Sequence, residues 1–74
     1  MSATVVYKGY TIQGRAIPLA ESGDWAAEAV IRFPGAAGGR QRQLTDPDDR
    51  TFVSREDAEG YAISLAIRWV DRLA

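Results

Sequence analysis

Residues 54–73 constrain the fold more than any other stretch, because they alone combine a start signal, a sustained helical period and a wide apolar stripe. Ser54 can cap a helix through its hydroxyl, and Asp57 three residues on completes the S-x-x-D form of a capping box. Glu56 and Asp57 put negative charge at the positive end of the helix dipole, while Arg68 and Arg72 suit the other end. At 100° per residue, Ala58, Ala62, Leu65, Ala66, Trp69 and Leu73 share one face, with Tyr61 and Val70 at its margins. An arc that wide has to be covered, and what precedes it reads as sheet. The expected fold is therefore α+β: three or four antiparallel strands in meander order, with one helix over residues 55–73 packed on one face.

The length sharpens this reading. A chain of 74 residues forms one domain and hides only ~60% of its unfolded surface, so its core is thin. Small domains compensate with disulfides, metals or self-association. Cysteine and histidine are both absent, which removes disulfides, ordinary structural zinc and the commonest general base. Self-association remains. The net charge of −1 argues against a dedicated binder of nucleic acid. Lys8 is the only lysine among nine basic residues, a bias that GC-rich coding explains. The first residues show no charged stretch followed by a long apolar run, and no segment approaches membrane-spanning length, so the expected location is the cytoplasm, with no membrane partner.

The first fifty residues read as strands and turns. Thr4, Val5, Val6 and Tyr7 are β-branched or aromatic, Lys8 and Gly9 break the run, and Tyr10 to Gln13 resumes it. Apolar residues sit at even positions up to Ile12 and at odd positions from Ile17, which suggests a bulge near Gly14. Pro18 pushes that end toward a sheet edge. After a turn at residues 21–24, Trp25, Ala27, Ala29, Ile31 and Phe33 alternate with more polar neighbours, and this odd face should meet the helix. Residues 34–39 form a flexible connection, and a further strand runs from Gln41 to Leu44 or Thr45. Asp46 and Pro47 signal a turn or a single helical turn, residues 50–53 are extended, and Phe52 or Val53 can staple the helix start. The core is expected to centre on Ile12, Trp25, Ile31, Phe33, Leu65 and Trp69.

Candidate sites are few. The glycines of residues 35–40 with Arg40 are the composition of an anion loop, but the lysine and following helix of a phosphate loop are missing, so a hairpin tip fits better. Asp46, Asp48 and Asp49 lack the spacing of a calcium loop and suit turn chemistry. No catalytic residue, metal ligand or cofactor site is assigned, and the chain is not expected to be an enzyme. Arg15, Arg32, Arg40 and Arg42 are the residues that an alternative, nucleic-acid-binding role would use. The main expectation is an interaction module that pairs weakly with itself through Gly60, Ile63, Ser64 and Ile67 on the outer side of the helix, or with another protein.

The layout Tyr7-Lys8-Gly9-Tyr10-Thr11-Ile12, then Gly23-Asp24-Trp25, then Phe52-Val53-Ser54-Arg55-Glu56-Asp57-Ala58 before a helix ending Trp69-Val70-Asp71, resembles small uncharacterised proteobacterial sheet-plus-helix domains. It is also distantly similar to the HlyU-like family, associated by name with transcriptional regulation. The resemblance implies the same fold and a regulatory role, and it carries over no catalytic residue.

Overall fold

The computed structural model describes residues 3–35 and 39–73. Five strands precede one helix: β1 (Ala3–Tyr7), β2 (Tyr10–Pro18), β3 (Trp25–Arg32), β4 (Gln41–Thr45), β5 (Thr51–Phe52) and α1 (Arg55–Leu73). All pairings are antiparallel, in the order β1-β2-β3-β4, and the two-residue β5 joins β3 beside Trp25 and Ala26. This is the expected α+β meander with one short strand added. Part of the connection ahead of β4, residues 36–38, lies outside the described residues.

The β1–β2 turn follows from its two central residues. Lys8 and Gly9 have φ of 51° and 85°, so both are left-handed, as a two-residue type I′ hairpin requires. The hairpin then pairs Tyr7 with Tyr10, Val5 with Ile12 and Ala3 with Gly14.

The expected bulge at Gly14 is absent. β2 pairs with β3 in one unbroken register from Thr11 opposite Arg32 to Pro18 opposite Trp25. The apolar period slips in the sequence because glycine occupies an inward position at 14 and Ile17 lies exposed on the outer face. A Cβ at residue 14 would sit 2.6 Å from the Glu59 carbonyl oxygen and 2.8 Å from Ile63 Cγ1. Gly14 is where the helix backbone comes down onto the sheet, a recurrent role for glycine inside a strand. Among the described residues β1 reaches no further than Ala3, opposite Gly14, so beyond it β2 is itself an edge, and Pro18 sits there without interrupting a ladder.

The helix starts as its cap dictates: Asp57 N–H donates to Ser54 Oγ at 3.0 Å. Its buried face includes the expected Ala58, Ala62 and Ala66 but is displaced toward Val70, Ile63 and Ile67. The buried line is Ala58, Ala62, Ala66 and Val70, flanked by Tyr61 and Trp69 on one side and by Ile63 and Ile67 on the other. Leu73, expected to be buried, is 53% exposed, whereas Val70 is fully enclosed. Opposite this line lie Ile12, Ala27, Ala29 and Ile31, so the odd face of β3 does meet the helix. The centre of the core is made of alanines together with Ile12, Ile31 and Val70, so two of the expected core residues, Ile12 and Ile31, are fully buried. Trp25, Phe33, Leu65 and Trp69 are only half-buried, because a helix packed this close to a sheet leaves little room for the largest side chains between them. The aromatics form a rim instead, with Phe33 edge-on to both Tyr10 and Trp69 at centroid distances of 5.5 and 5.9 Å. Phe52 packs on Tyr61 at 5.1 Å, while Val53 is 87% exposed and staples nothing.

Candidate interaction surface

The expected interface residues separate into two sets. Gly60 and Ser64 lie on the exposed side of α1, and nothing approaches within 4 Å of where a Cβ on Gly60 would be. Ile63 and Ile67 are half-buried and pack against the core from the β1 side. The four therefore do not form one outward apolar ridge, because the helix is turned so that the isoleucines flank its buried line.

The arginines also divide. Strand alternation puts Arg15 and Arg32 on the sheet face away from the helix, where Arg15 pairs with Glu28 at 3.3 Å. Arg42 lies opposite Ile31 on the helix face, over the Trp69 ring, and Arg40 lies over Phe33. Each of these last two cations stacks on a rim aromatic, a contact that orders an arginine without a ligand.

The carboxylates near residue 46 belong to a turn. Asp46 is buried, and its two carboxylate oxygens accept from the N–H groups of Asp48 at 3.2 Å and Arg50 at 3.0 Å. Burial alone pushes its pKa up, but these two amides, the Tyr61 hydroxyl and the Arg50 guanidinium together hold it below the ordinary aspartate value. Asp49 takes φ of 52°, a left-handed conformation that aspartate tolerates. An apolar cavity of about 260 Å³ opens beside this turn, where β4 gives way to β5, and Ile17, Leu19, Ala26 and Thr45 line it along with Asp46 and Arg50. Among the described residues no group of three histidine, cysteine, aspartate or glutamate side chains is placed to hold a metal ion.

The feature that sequence reading passed over is the free edge of β1. Among the described residues β1 has a strand on one side only. Its side chains alternate, with Ala3, Val5 and Tyr7 on the helix face and Thr4 and Val6 on the other. The helix lies mainly over β2 and β3, which leaves Val5 37% and Val6 73% exposed. One end of this ledge is clamped. Asp71 accepts from the Tyr7 hydroxyl at 2.8 Å and from Lys8 Nζ at 2.9 Å, tying the end of the helix to the first turn. The Lys8 bond, then the Tyr7 bond, lowers the Asp71 pKa, and the same contacts raise those of Tyr7 and Lys8. Toward the other end, Glu59 Oε2 is enclosed without a hydrogen-bond partner among the described residues. The signal for this edge was in the sequence: Ala3 to Tyr7 contains no charge, proline or glycine, the residues that blunt exposed edges.

Compared with known proteins, the chain matches no family model, no curated protein and no solved structure.

Proposed function

We propose that this domain is a small non-enzymatic cytoplasmic interaction module that associates weakly with a second copy of itself. The observation that carries the reading is the bare β-branched ledge of β1, with Val5 exposed on the sheet face that carries the half-buried Ile63 and Ile67, and Val6 exposed on the other face. Edge strands of this kind are pairing templates unless something protects them. The acidic groups best held in place are already committed to structure, Asp46 to its turn and Asp71 to the Tyr7–Lys8 clamp, which favours a binding role over acid–base chemistry. Location in the cytoplasm accords with the fact that no helix among the described residues is long and apolar enough to cross a membrane. The nucleic-acid alternative has weaker support, since Arg15, Arg32, Arg40 and Arg42 do not share one face. The regulatory role implied by the HlyU-like resemblance is compatible with a dimer and adds no residue to it.

Sedimentation velocity over a wide concentration range tests the reading. A contact this small buries less than the ~1,200 Å² of a stable interface, so a monomer–dimer equilibrium in the micromolar range is expected. A protein that stays monomeric into the hundreds of micromolar would rule it out.

A further inference from the structure

Resting on that reading, we infer that the dimer forms by antiparallel pairing of β1 with β1 of the second copy, centred on Val5, so that the two sheets become one. The register follows from the hairpin. In a two-residue type I′ turn the flanking residues, Tyr7 and Tyr10, exchange main-chain hydrogen bonds. Bonding alternates along an antiparallel strand, so Tyr7, Val5 and Ala3 direct their N–H and C=O groups at β2, and Val6 and Thr4 direct theirs at the open edge. A second β1 must satisfy those outward groups.

A two-fold axis at Val5 places Thr4 opposite Val6 of the second copy and Val6 opposite its Thr4. Every outward main-chain group of these two residues is then paired. Shifting the axis to Thr4 or to Val6 leaves one of the two facing a residue outside Ala3–Tyr7, so only the Val5-centred register uses the strand alone. Val5 then meets Val5 in a non-hydrogen-bonded pair, where opposing side chains come closest. Both valines point to the helix side, into a trough between the two helices. Ile63 stands over Gly14, and Asp71 is tied to Tyr7. Ile67, between these anchor points, faces the same trough. No charged residue lies in Ala3–Tyr7, so a two-fold brings no like charges together.

The other edges are less suited to this. β4 presents Gln41, Arg42 and Gln43 and runs into the Asp46 turn, and the uncovered end of β2 carries Arg15 and Pro18. A second copy is the occupant that the hydrogen-bond register and the absence of charge favour. A strand from a different protein would leave this chain monomeric by itself.

The absence of native cysteine makes the register directly testable. Opposed residues of a non-hydrogen-bonded pair have Cα atoms about 4.5 Å apart, within disulfide range. Val5→Cys should therefore oxidise to a covalent dimer. Val6→Cys should not, because its two thiols lie on a diagonal at about 7–8 Å. Val5→Lys and Val5→Glu should each associate at least about tenfold more weakly than wild type, and an equimolar mixture should regain the dimer, with circular dichroism confirming that each variant is folded. A dimeric wild type whose Val5→Cys variant forms no disulfide, together with charged variants that still associate, would overturn the β1 register and leave self-association standing. A wild-type protein that is monomeric at every concentration, the result expected for a heterologous strand, overturns both.

Discussion

Gly14 and Gly60 are both interior to regular elements, yet they have opposite reasons for being glycine. At Gly14 an added Cβ would press on a helix carbonyl, which cannot yield as a flexible side chain would. Gly14→Ala should cost about 1–3 kcal/mol through overpacking, read as a lowered denaturation midpoint. At Gly60 there is open space, so Gly60→Ala should stabilise the fold by about 0.5–1 kcal/mol through helix propensity. If Gly60→Ala instead weakened dimerisation without loss of stability, the outer helix face would be the contact after all. Asp46 carries a pH dependence. Its folded pKa lies below the unfolded value, so its contribution is fully present above the ordinary aspartate range and is lost as pH falls from that range through the lower folded value. Melting temperature should fall on acidification, and this acid limb should flatten in Asp46→Asn. Asp71 acts in the same direction but is half-exposed, so its share is screened.

At the scale of the element, the decisive quantity is the rotation of α1. Cap, length and amphipathic character were all legible from Ser54 onward. The centre of the buried face was legible only in part: the expected stripe included Ala58, Ala62 and Ala66, which are enclosed, but the enclosed line continues through Val70 rather than Leu73, and Leu65 and Trp69 lie at its flank. Large side chains can reach a core from the flank of a helix, whereas only small ones fit between two backbones in close approach. This leads to a pair of substitutions with contrasting outcomes. Ala62→Leu adds volume where the side chain is fully enclosed and should cost about 1–3 kcal/mol or more, while Leu73→Ser should be nearly neutral. Guanidinium denaturation of both checks the packing of the helix. A tolerated Ala62→Leu would show that helix and sheet do not approach closely at this point, and a damaging Leu73→Ser would show that the last turn is buried.

For the whole molecule, measuring 39 × 22 × 16 Å, thinness is the governing property. Among the described residues, one helix over a five-stranded sheet leaves one sheet face without a second layer and the edge of β1 unpaired. Association through that edge links stability to concentration, because pairing that occurs only in the folded state draws the equilibrium toward it. The melting temperature of the wild type should therefore rise with protein concentration, and that of Val5→Lys should not. The sequence by itself determined which segments are strand and which is helix, their order, the tight turn at Lys8 and Gly9, and the cap at Ser54. Those are local properties, set by side-chain period and by the φ values that a few residues can adopt. Only the tertiary structure decided that Gly14 is a contact rather than a bulge, that alanines and not tryptophans occupy the centre, that Thr51 and Phe52 add a strand, and that β1 is left bare. Each of these depends on distances between backbones far apart in the chain, and those distances are set where the smallest side chains of two elements meet.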